Sequence, residues 1–180
     1  MVQLNMAGGE MAARQRAGRV IERAASGLIY AWAGGAIAGS MIAAPAKFQA
    51  PSLTLPVALD VGRAQFFWLG IAEAACACAL LLLLAAARRL PAWPLAAALA
   101  VLALQRLWIM PALDSRTLAI IAGQPVAESS LHLAYAACET LKICCLVWAG
   151  SGFARPPAKG PAGPAGRTSH HHSEPKDQRL

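Results

Sequence analysis

Residues Ser130–Gly150 read SLHLAYAACETLKICCLVWAG. The run is long enough to cross a bilayer as a helix, yet Glu139 and Lys142 sit near its middle. Residues three apart share a helix face. Ionisable groups are costly in hydrocarbon, so they turn into a bundle and find partners there. His132 and Tyr135, seven and four residues before Glu139, fall on the same face. This stretch therefore predicts other spans with polar groups at a matching depth.

Working outward, three more apolar blocks appear. The expected spans are residues 26–46, 64–87, 91–111 and 130–150. The chain is 57% hydrophobic and 14% charged, well below the roughly 25% charge of soluble domains. Blocks such as Cys76–Ala87 are apolar on every face, which disfavours a soluble helical domain. The predicted fold class is all-α: a four-helix transmembrane bundle, residues 26–150, with a basic amino-terminal region, 1–25, and a disordered carboxyl-terminal tail, 151–180. The tail is predicted from its Pro, Gly, Ser and Lys/Arg content. His170-His171-His172 within it is read as incidental.

Basic residues set the orientation. Arg14, Arg16, Arg19 and Arg23 precede the first span, Arg88-Arg89 separates the second from the third, and five Lys/Arg follow the fourth. Only Lys47, Arg63 and Arg116 lie in the other two loops. The positive-inside rule puts both termini in the cytoplasm. The net charge of +7 thus serves topology and anionic lipid head groups on the cytoplasmic side, with no nucleic acid implied. The lipid bilayer is the expected partner. The Ala, Leu, Arg and Pro content suggests a bacterium, hence its inner membrane. Two alternatives stay open at the amino terminus. Ala44-Pro45-Ala46 resembles a signal-peptide cleavage site, although the preceding apolar run is longer than usual, and Met6 and Met11 are other starts.

Gly27, Ala31, Gly35 and Gly39 recur every fourth residue. Such a stripe lets a second helix approach closely. Another helix of the same bundle is the expected partner, with homodimerisation through the stripe as the alternative. Pro51 and Pro56 interrupt the first loop. Pro91 and Pro94 fall at the start of the third span, where a missing N–H costs little.

Depths follow from about 1.5 Å of rise per residue. Glu73 lies roughly 14 Å below the outer end of its span, Arg106 roughly 8 Å, and Glu139 and Lys142 roughly 14 and 18 Å. Two acids and two bases make a neutral set in the outer half or near the midplane of a core about 30 Å thick. The candidate intramembrane polar cluster is Glu73, Arg106, His132, Tyr135, Glu139 and Lys142, with Gln105 as a further contributor. It serves either as polar glue that fixes helix register or as the lining of a cavity for an ion, proton or polar solute. The five cysteines all fall in the apolar spans without a CxxC spacing. They read as small buried residues, so no metal ligands, catalytic residues or cofactor are assigned. A soft-metal site using Cys and His132 is the alternative.

Trp32-Ala33-Gly34-Gly35 through Ala44-Pro45-Ala46-Lys47-Phe48 resembles the first span of the DUF4149 / TMEM205-like small membrane proteins. Val61-Gly62-Arg63 with Phe66, Leu107-Trp108-Ile109-Met110-Pro111 and Leu131-His132 are similar to later parts of that family. The resemblance covers residues 32–148 and implies a small helical bundle without an assigned activity. The Pro-rich first loop and the Glu139/Lys142 pair depart from the pattern. Copper-resistance-D-like proteins are distantly similar in architecture. That would imply a metal or haem, but His132 is the single histidine before the tail. Three functions stay in play: a structural or accessory membrane protein without catalysis, a small transporter or channel, and a metal-handling or enzymatic membrane protein.

Overall fold

Each long helix carries one inward stripe at alternating spacings of three and four residues. In the first it is Ala25, Ile29, Trp32 and Ala36. In the second it includes Glu73, Ala77, Leu80 and Leu84. In the third it is Leu95, Ala98, Leu102, Gln105 and Ile109, and in the fourth Tyr135, Glu139, Lys142, Leu146 and Ala149. That period is the one that lets neighbouring helices interlock side by side at shallow crossing angles. The computed structural model describes residues 2–154. Among these it has four helices long and apolar enough to cross a membrane: Ala13–Gln49, Leu55–Ala86, Trp93–Ile121 and Leu131–Phe153. The chain is all-α over the described residues and is built as a multi-pass membrane protein.

The helices run up and down. Loops 50–54 and 122–130 lie at one end, here the loop end. The 87–92 turn lies at the other with the start of the first helix and the close of the fourth. Ion pairs clamp both ends. Arg63 Nε donates to Asp114 Oδ1 at 2.6 Å and Nη1 to Asp60 Oδ1 at 3.2 Å at the loop end. Arg89 Nη1 meets Glu22 Oε1 at 2.6 Å at the other, where Ser26 Oγ also donates to the Gly150 carbonyl at 3.4 Å.

Several bounds differ from those expected. The first helix begins at Val2 and enters the span unbroken, because its basic stretch contains no proline to stop it. The second starts at Leu55, with Pro56 in the first turn, where proline is tolerated. Pro94 takes the same place in the third helix, while Pro91 stays outside it. The fourth helix continues through Ser151 to Ala154. The remaining part of the expected tail, with its three histidines, lies outside the described residues.

The largest shift is in the third helix, which runs ten residues beyond the expected stop at Pro111. A proline inside an α-helix loses one hydrogen bond and clashes with the carbonyl four residues before it. Here a π-helical stretch, Gln105–Ile109, immediately precedes Met110-Pro111. The wider turn displaces the carbonyl that the ring would strike. The first helix uses the same device, a π-helical stretch Ile37–Ala43 just before Ala44-Pro45. The helices then stop with the C-terminal turn in which two N–H groups reach back to orphan carbonyls. Gly123, at φ +72°, closes the third, with Gln124 N–H on Ala119 O at 3.0 Å. Arg88 takes the same left-handed role at φ +52°, with Arg89 N–H on Leu84 O at 2.9 Å.

Most of the small-residue stripe meets no other helix within the bundle. Gly27, Ala31 and Gly35 are exposed, and a Cβ on either of these glycines would touch nothing. Only Gly39 abuts a neighbour, where a Cβ would come within 3.0 Å of Leu69. The first helix turns its larger residues, Ile29 and Trp32, inward instead.

Candidate functional site: a buried charge cluster beneath a cavity

The polar groups on the inward stripes come together. Lys142 Nζ donates to Gln105 Oε1 and to Glu139 Oε2, both at 3.0 Å, and also to Glu73 Oε1. All three ammonium hydrogens are thereby used. Gln105 Nε2 donates to Glu139 Oε2 at 2.8 Å. The Gln105 amide orientation follows from its neighbours, since lysine only donates and the carboxylate only accepts. Trp32 Nε1 donates to Glu73 Oε1 at 3.2 Å. Arg106 Nη2 meets Glu73 Oε2 at 3.4 Å, while Nη1 donates to the Phe66 carbonyl at 3.0 Å. Lys142 and Glu139 are wholly buried, Glu73 and Gln105 almost so. Ionised, the two acids and two bases cancel.

Sequence and local geometry explain why both Gln105 and Arg106 reach this network. They are adjacent, and one helix face does not ordinarily hold two neighbours. Gln105 is in register with Leu102 and Ala98 and points straight in. Arg106 points toward the side and curls back. Gly70 on the second helix makes this approach feasible: a Cβ there would lie 2.0 Å from the Arg106 guanidinium carbon. Two turns earlier Gly62 does the same for Lys47, with a Cβ position 2.1 Å from Nζ.

Toward the loop end, the cluster is capped by a cavity of about 470 Å³ between all four helices. This is within the range of small-molecule sites. Tyr135, Phe66 and Ser40 line it, and Glu139 reaches it from below. Tyr135 is buried and packs edge-to-face on Phe66 with centroids 5.3 Å apart. Glu139 Oε1 has no hydrogen-bond partner among the described residues. Toward the other end the interior closes into an apolar core that includes Ile29, Leu80, Leu84, Leu95 and Leu146. The cavity is one-sided. A second groove, between the second and third helices, exposes the lateral side of Arg106 beside Trp68 and Asp114.

No protein-family model, curated protein or solved structure matches the chain.

Of the sequence-derived candidates, the structure joins Glu73, Arg106, Glu139 and Lys142 directly. Tyr135 sits one turn nearer the loop end against the cavity. His132 is exposed at the cavity rim, away from the charge network. Trp32 was not among the candidates, nor was Gly70. Trp32 had a signal, since it is in phase with Ala25, Ile29 and Ala36 and carries a donor that must be satisfied if buried. Gly70 had none, because its role depends on a side chain from another helix. Among the described residues no three His, Cys, Asp or Glu side chains are grouped as a metal site.

Proposed function

We propose that the protein binds a small polar solute in its one-sided cavity and that this binding is a step of transport. The reading is carried by one observation: a wholly buried carboxylate, Glu139, lines the cavity and has one oxygen committed to Gln105 and Lys142 while the other lacks a partner among the described residues. A buried polar group without a partner costs about 1–3 kcal/mol, more if charged. A ligand donor would recover that cost. A closed apolar core below and an open cavity above is also the arrangement of a transporter facing one side. The two π-helical stretches border the site, and such turns recur at functional positions.

The inner membrane of a bacterium, with both termini cytoplasmic, is part of the same proposal, so the cavity opens to the periplasm. A periplasm-active reporter fused after the fourth helix should then be silent, and activity there would reverse the orientation. Kinship with the DUF4149 / TMEM205-like proteins is likewise proposed, supported by Trp32–Phe48 and Leu107–Pro111. An exclusively structural role is the second reading. It is favoured by how fully Lys142, Glu73 and Gln105 are satisfied by one another.

Labelling separates the two. A water-soluble carbodiimide applied to the folded protein in membranes should modify Glu139, detected by mass spectrometry of its peptide, and leave Glu73 unmodified. Both Glu73 oxygens are engaged by Lys142, Trp32 and Arg106. If Glu139 reacts only after unfolding, no solute reaches it and the structural reading replaces this one.

A further inference from the structure

The cavity wall holds two charged groups whose interactions are not exhausted within the protein, and Ser40 Oγ on the same wall also lacks a partner among the described residues. One charged group is Glu139, which lines the floor and whose buried Oε1 has no partner among the described residues. The other is Lys47 near the rim. Its Nζ lies 5.2 Å from the Phe48 ring centroid and 5.5 Å from that of Phe66. Among the described residues it has no carboxylate within ion-pair distance, whereas Arg63, on the same wall, is matched by Asp60 and Asp114. Aromatic faces hold an ammonium without neutralising it. Gly62 leaves the backbone room that this placement needs. Between the two ends the lining is mostly apolar, with Met41, Leu59, Met110 and Leu113, and is interrupted by Ser40 and Tyr135.

We infer that the ligand is a zwitterion with an apolar middle, its ammonium on Glu139 Oε1 and its anionic oxygen on Lys47. A cation alone would leave Lys47 unmatched, and an anion alone would leave Glu139 unmatched. The polarity is fixed as well, since the acid is at the floor and the base at the rim. The same chemistry occurs in a free ω-amino acid and in an aminophospholipid head group. This inference rests on the cavity being a binding site, as proposed above.

The test uses the full chain in lipid nanodiscs, with titration calorimetry of three matched probes: ε-aminocaproate, caproate and hexylamine. A charge-assisted hydrogen bond is worth enough to change affinity about tenfold or more. ε-Aminocaproate should therefore bind at least about tenfold more tightly than either one-ended probe. Lys47→Met should erase its advantage over hexylamine, and Lys47→Arg should largely restore it. Glu139→Gln should erase its advantage over caproate. Lys47 lies outside the buried network, so its variants report even if Glu139→Gln folds poorly. Tighter competition by lysophosphatidylethanolamine than by ε-aminocaproate would assign the chemistry to a lipid head group, and the reverse order to a free solute. Equal binding of hexylamine and ε-aminocaproate would overturn the two-ended ligand while leaving the cavity as a binding site. No binding of any probe, with Glu139 still reactive to carbodiimide, would overturn this ligand class alone.

Discussion

Replacing Lys142 by methionine should destabilise the folded protein by about 3–5 kcal/mol, the cost of removing one partner from a buried ion pair. Lys142 is the single cation between two carboxylates, contacting Glu73 Oε1 and Glu139 Oε2 together with Gln105. Methionine matches its length and suits the apolar core below, so the loss is electrostatic and not steric. Glu73 keeps Trp32 and Arg106. Glu139 keeps only the Gln105 amide and becomes a buried charge without a counterion. Glu139→Gln alone should be far milder, about 1 kcal/mol, because the new amide oxygen still accepts from Lys142 and Gln105.

The double replacement Lys142→Met with Glu139→Gln removes one acid and one base, leaving Glu73 with Arg106. It should recover at least half of what Lys142→Met loses, a coupling that a double-mutant cycle isolates. Denaturant unfolding in mixed micelles measures all three variants, and membrane abundance gives a second readout. If Lys142→Met unfolds at the wild-type midpoint, the cluster does not hold the bundle together. If the double variant is no better than the single one, Lys142 acts through packing and the charge argument fails.

The span count and the depth of the charges were legible because both depend on one helix at a time. Hydropathy sets the spans, and rise per residue puts Glu73, Arg106, Glu139 and Lys142 at neighbouring levels. Gln105 was legible for the same reason, lying three residues after Leu102 on its stripe. The third helix was cut short at Pro111 because proline normally ends an α-helix, and a π-helical turn leaves no residue-type signature. The expected partner of the glycine stripe inside the bundle is not found because GxxxG spacing identifies a helix face that can be approached, by a neighbouring helix or by a second copy, and does not say which. The first helix instead buries Trp32, whose indole N–H has Glu73 to meet. The cavity was not legible at all. It is a void left between four helices where Ala44 and Ala136 are too small to fill it, and only the assembled bundle defines it.

Gly70 shows how far such interhelical geometry reaches, and its replacement is the second large effect. In Gly70→Ala the added methyl would meet the Arg106 guanidinium, with Cζ, Nη1 and Nη2 at 2.0, 2.1 and 2.2 Å. These atoms are the far end of a flexible side chain, so the helices need not part. Arg106 would instead leave, abandoning Glu73 Oε2 and the Phe66 carbonyl. The cost is therefore that of the lost contacts. It should be below the full buried-pair figure, about 1–3 kcal/mol, because Arg106 is 24% exposed and Glu73 retains Lys142 and Trp32. Arg106→Met should lose a similar amount. The two changes together should lose little more than either alone, since each removes the same ion pair. Additive losses in denaturant unfolding would mean that Gly70 serves helix packing independently of Arg106. A Gly70→Ala protein as stable as wild type would mean that the guanidinium does not rest on that backbone.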